Sequence, residues 1–170
     1  EPITTIHRYR NKVKHSESII PFSRNDKKLP VLDYMKLDGY FCNFIYGYND
    51  STAQMLLRQW NAWLGASKKV VIMVMVFENQ MQEIALEQAA HWRGGNKNEF
   101  IVCMGKKGNE IVWAKVISWT PQEILKVQVA REINEMKVLD MANIVNYLGQ
   151  TIEGTKGYIR RDMEEFNYLT

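Results

Sequence analysis

Residues 92–98 read Trp-Arg-Gly-Gly-Asn-Lys-Asn and run directly into Glu99, so two glycines, two asparagines and a carboxylate fall within one short corner. A helix that ends in two glycines and enters a strand through small polar residues leaves carbonyls, amides and side-chain oxygens converging at the edge of a sheet. Such a set holds a ligand; it supplies no nucleophile with a base beside it. The binding-groove candidates are Asn43, Asp50, Asn79, Gly94, Gly95, Asn96, Asn98 and Glu99, with no catalytic residue among them. Asparagine offers a carbonyl oxygen without charge, whereas hard cations such as calcium prefer several anionic or carbonyl oxygens. No cofactor and at most weak binding of a divalent cation are therefore expected, with Glu99 and Asp50 the only nearby acids to hold it.

Other chemistry has less to build from. His7, His15 and His91 are scattered, and His91 has no carboxylate or nucleophile next to it in sequence, so neither a histidine-rich metal site nor catalysis is expected there. Cys42 and Cys103 sit in apolar runs without ligand spacing and read as buried thiols. The stretch Gly105-Lys106-Lys107-Gly108 lacks the spacing and the Ser or Thr of a phosphate loop and reads as a hairpin turn. Glu164, Glu165 and the charges of Arg160-Arg161-Asp162 read as a solvated helix face.

The elements that must position the corner follow from hydropathy. Residues 39–46 form an apolar, aromatic run broken only by Asn43, which reads as a short strand. A helix starts at Asp50 or Ser51, where Ser51 and Gln54 match a capping box, and stops at Gly65; Trp60 and Trp63 share its apolar stripe and read as core. Residues 70–77 are apolar without alternation, the pattern of a central strand buried on both faces. Asn79 reads as the cap of the next helix, whose stripe of Met81, Ile84, Ala85, Ala89 and Trp92 leads down to Gly94. A hairpin spans residues 100–119, and Thr120-Pro121-Gln122-Glu123 signals a helix start. Two further helices are expected, from Asp140 to Leu148 and over residues 157–168. The order β-α-β-α-β-β-α-α-α specifies an α/β fold: a mixed β-sheet of about four strands flanked by helices, with a helical C-terminal part.

A chain of 170 residues with 46% hydrophobic content is large enough for one domain with a real core. Its longest apolar run, eight residues, is far short of the roughly 20 of a spanning helix. Charge is unevenly placed: residues 1–28 hold seven Lys or Arg against three acids, so the remainder is close to neutral. The expected division is a basic N-terminal arm over residues 1–30 and a single α/β domain over 31–170. Residues 7–15 of the arm read first as a solvated leader or linker, and second as a segment suited to phosphates or an anionic membrane surface, each cation there being worth about 1 kcal/mol. The same arm is the only place for a nucleic acid, which is not the expected partner.

The first strand around Asn43, the apolar strand ending at Phe77 and the helix running into the corner at 92–98 together resemble the TPM domain family over about residues 37–119. The resemblance implies a helix-flanked mixed sheet, displayed outside the cytoplasm beside a membrane-spanning segment, and for some members acid phosphatase activity or divalent-metal binding. Where the family pattern has an aspartate in the first strand this chain has Asn43, and where it has Asp-Asn-Gly this chain has Asn98-Glu99-Phe100. Three functions are weighed: a non-catalytic binding or assembly module whose partner is a protein, and which forms the soluble part of a membrane-associated protein; a metal-dependent phosphate-ester hydrolase; and binding of an anionic surface or nucleic acid through the arm.

Overall fold

The computed structural model describes residues 29–35 and 43–162, and every structural statement below concerns these. In chain order they form β1 (Ile45–Tyr46), α1 (Ser51–Ser67), β2 (Val71–Glu78), α2 (Glu83–His91), β3 (Glu99–Lys107), β4 (Glu110–Ser118), α3 (Glu123–Met136) and α4 (Met141–Glu153). The four strands make one mixed sheet in the order β1-β2-β3-β4, with β1, β2 and β3 parallel and β4 antiparallel to β3. The fold is α/β, a four-stranded mixed sheet flanked by helices and followed by C-terminal helices.

Alternation along the strands divides the core in two. Ile72, Val74 and Val76 of β2 with Phe100, Val102 and Met104 of β3 point to one face, where α1, α3 and α4 pack. Met73, Met75 and Phe77 with Ile101 and Cys103 point to the other, covered by α2 and by Leu29 and Leu32 of the segment 29–35. This double burial is why β2 reads as a continuous apolar run. The β1-to-β2 and β2-to-β3 crossovers advance in the same direction but lie on opposite faces, so their hands are opposite and one departs from the usual right-handed connection.

Side-chain amides complete the backbone where strands run out. Gln54 Oε1 accepts from the N–H groups of Phe44 and Ile45 at 3.0 and 3.3 Å while its Nε2 donates to Ile45 O at 3.0 Å. Two turns along α1, Asn61 Oδ1 accepts from Ile72 N at 2.8 Å and its Nδ2 donates to Ile72 O at 2.9 Å. A primary amide can both donate and accept, so each stands in for a missing strand neighbour, Gln54 along β1 and Asn61 along the start of β2.

Several sequence expectations are corrected. Of the two starts read for α1, Asp50 is the cap, its Oδ1 accepting from Ala53 N at 2.9 Å, and the expected Ser51–Gln54 box is replaced because the Gln54 side chain is committed to β1. Asn79 does not cap α2, which begins at Glu83; at φ 53 it makes the left-handed turn off β2. Met81, expected in the core, is 74% exposed, and Trp63 is 58% exposed beside α4, while Trp60 is half-buried. α1 runs on to Ser67, past Gly65, and α4 reaches Glu153, past Leu148. Residues 157–162 are not helical, and the rest of the helix expected there lies outside the described residues, as do residues 39–42 of the first strand, Cys42 and residues 1–28 of the arm.

Candidate functional site

The corner sits at the amino ends of the parallel strands. After α2, Arg93, Gly94 and Gly95 take φ of 51, 76 and 74, three successive left-handed residues that reverse the chain into β3. A Cβ on Gly95 would stand 2.8 Å from Ile101 Cδ1 and 2.9 Å from Glu99 Oε2, so glycine is needed for both its φ and its lack of bulk. Polar groups here face inward. Glu99 Oε2 accepts from Asn96 N at 2.8 Å and from the Tyr34 hydroxyl at 2.9 Å, while Glu99 Oε1 accepts from Asn96 Nδ2 at 2.8 Å. Gly94 O accepts from Trp119 Nε1 at 3.0 Å, Lys97 O from the Tyr158 hydroxyl at 3.3 Å, and Asn98 O from Val71 N at 2.8 Å. Lys97, Asn98 and Glu99 are each buried.

Segment 29–35 straps α2 to this corner. Gln88, fully buried, accepts from Leu32 N at 2.7 Å and donates to Leu32 O at 2.8 Å, reading an extended backbone as a strand would. The Tyr34 ring stacks on Trp92 at 3.8 Å, and Asp33 Oδ1 lies 2.6 Å from His91 Nε2. The carboxylate that the sequence failed to place beside His91 thus comes from 58 residues away, on a surface where both partners are exposed. Burial, and then the nearby Glu99 carboxylate, hold the Tyr34 phenol well above its ordinary range, so it stays a donor. Burial alone pushes the Cys103 thiol up to about 12, which keeps it an unreactive thiol as its apolar setting suggested.

The carboxyl ends of the same strands are arranged differently. Asn79 turns away from β2 with its N–H donated to Lys106 O at 3.0 Å. The Trp113 indole lies flat on Gly105, whose missing Cβ would meet Nε1 at 2.0 Å, and donates from Nε1 to Gln80 O at 2.7 Å. These residues wall an open cleft of about 480 Å³ lined by residues 79–83, Lys106, Lys107, Val112 and Trp113. A register shift between Gly105 and Lys106 leaves Val112 outside the ladder and 42% exposed at its rim. Lys106 lies 3.6 Å from Glu78 and over the Tyr48 ring at 5.9 Å, while Lys107 is exposed.

The groove read from sequence is not one place. Val71 is level with Glu99 and Glu78 with Lys106, so Asn79 and the corner at 94–99 stand eight residues apart along β2, roughly 26 Å at about 3.3 Å per residue. Asn43 precedes β1 on its outer side, its Oδ1 accepting from Arg58 Nη2 at 2.8 Å. Asp50 caps α1 beyond the carboxyl end of β1, so Asp50 and Glu99 belong to opposite ends of the sheet. Gly94, Gly95, Asn96, Asn98 and Glu99 do come together, as a hydrogen-bonded turn. Among the described residues no three His, Cys, Asp or Glu side chains cluster. The cleft residues other than Asn79 carried a signal that went unread: they follow the carboxyl ends of parallel strands, where loops are free to line a site. Comparisons with protein-family models, with curated proteins and with solved structures return no match.

Proposed function

We propose that this chain is a non-catalytic binding module that holds a short segment of a protein partner in the cleft at the carboxyl ends of β2 and β3. One observation carries the reading: the cleft is lined by the amide residues Asn79, Gln80 and Gln82, by Glu83 and the lysines Lys106 and Lys107, and by the apolar Met81, Val112 and Trp113. An apolar lining with a few polar groups is the general make-up of a ligand site. The amides suit an extended backbone, the apolar lining suits an aliphatic side chain, and the exposed Lys107 suits an acidic neighbour. The corner at 94–99 supports the same choice from the other side, since its carboxylate and carbonyls are already engaged within the fold. The resemblance to the TPM domain adds the proposal that the chain is the soluble part of a membrane-associated protein; among the described residues no helix is long and apolar enough to cross a membrane.

Nuclear magnetic resonance titration with a panel of short peptides pairing a leucine with an acidic residue tests the site. Shifts confined to residues 79–83 and 106–113, abolished by Lys107→Glu, are expected. Shifts centred on residues 94–99 would move the site to the corner. Calcium- or magnesium-dependent turnover of a chromogenic phosphate, lost in Glu99→Gln, would replace the binding reading with a hydrolase.

A further inference from the structure

α1 and α4 lie side by side on the sheet face opposite α2 and carry almost no charge. Across their 17 and 13 residues the only charged side chains are Arg58 and Glu153, whereas the 14 residues of α3 hold Glu123, Lys126, Arg131, Glu132 and Glu135. The two helices run parallel and are locked together: Trp60 Nε1 donates to Asn146 Oδ1 at 3.1 Å, Trp63 Nε1 to Glu153 Oε1 at 2.7 Å, and Lys68 Nζ to Gly154 O at 3.3 Å. The Trp60 indole lies on Gly149, where a Cβ would come within 2.1 Å. Both charges are occupied within the chain, Arg58 turned sideways to Asn43 and Glu153 on the Trp63 indole. What remains outward is Met55 and Trp63, 59% and 58% exposed, with Gln59, Ala62, Asn143 and Gln150.

We propose that this α1/α4 face is a self-association surface, on which two copies of the chain pack these helices together about a two-fold axis. A two-fold axis sets a patch against its own image, so a charged patch would meet like charge. This one is neutral, in contrast to α3. Amides donate and accept equally, which makes Gln59, Asn143 and Gln150 complementary to themselves. Trp63 and Met55 supply the apolar anchors that interfaces favour. Two such helices offer a footprint on the order of 500 Å² from a length of about 25 Å and a paired width of about 20 Å, at the small end of dimer interfaces and so dissociable. The inference goes beyond the cleft, which lies at a different edge and stays open in the pair.

Sedimentation equilibrium of the full chain across low to high micromolar concentration is the test. The average mass is expected to rise from 19.9 kDa towards twice that value. Trp63→Glu and Gln59→Glu are each expected to weaken association about tenfold or more, and Gln59, at the surface, leaves the core untouched. Ile124→Glu and Val127→Glu, at positions 80% and 69% exposed on α3, are expected to change nothing. A monomer at every concentration would overturn the proposal, as would a dimer that the α3 substitutions dissociate or that ignores both α1 substitutions.

Discussion

The two ends of the parallel strands use similar residues for opposite purposes. At the amino ends, Asn96 and Glu99 spend their hydrogen bonds on each other and on Tyr34. At the carboxyl ends, Asn79 and Gln82 line an open cleft with Lys106, Lys107 and Trp113. A polar residue in a corner is therefore no sign of a site by itself. Where its partners come from the same chain it stabilises a turn, and an unpaired partner in that interior would cost about 1–3 kcal/mol. Where the backbone opens onto solvent it remains available.

On the proposed reading, the corner is sensitive in stability and the cleft in binding. The largest effect is expected from Gly95→Ala, whose Cβ would fall within 2.8 Å of Ile101 at φ 74. A loss of about 3 kcal/mol, from left-handed strain and overpacking, would show in chemical denaturation. Gly108→Ala, at φ 58 with nothing within 4 Å, is the control, costing about 1 kcal/mol. Equal costs at the two glycines would break the comparison.

Glu99→Gln comes next. The amide keeps an acceptor but turns a donor towards Tyr34 or Asn96, for an expected loss of about 1–2 kcal/mol with peptide binding at the cleft unchanged. Loss of binding without loss of stability would reverse the roles of the two ends. A smaller effect is expected from alkaline pH. The folded Tyr34 phenol holds its proton above the ordinary value of 10, so its contribution is intact below pH 10 and is lost as pH rises beyond it. Solvent screening of this half-exposed group keeps the change modest. Denaturation midpoints measured from pH 8 to pH 11 should fall less steeply in Tyr34→Phe than in the parent chain.

Smallest in stability is Val112→Glu, within about 0.5 kcal/mol because the side chain is at the rim. Peptide affinity at the cleft is nonetheless expected to drop about tenfold, which titration calorimetry would read. Unaltered affinity would take Val112 out of the site.

Secondary structure was legible wherever one local force dominated. The unbroken apolar run around β2 could only be buried on both faces, and the hairpin between β3 and β4 announced itself through Gly108-Asn109. Caps were less legible, because Gln54 and Asn79 are competent for local hydrogen bonds but were claimed by the sheet. The stripe of α1 predicted Trp63 inside, yet periodicity cannot tell a core from the seam between two parallel helices.

Sequence by itself determined the α/β class, the order of elements from β1 to α4 and the tight glycine corner, because periodicity, turn chemistry and steric freedom are properties of neighbouring residues. Only the tertiary structure decided which polar groups were left to bind. Parallel pairing set Asn79 and Glu99 at opposite ends of the sheet, the strap at 29–35 brought Asp33 to His91, and the antiparallel register of β3 and β4 laid Trp113 on Gly105 beside the cleft. Asp33 and His91 meet across 58 residues, and even the nearer placements are set by strand register and packing that no local pattern encodes.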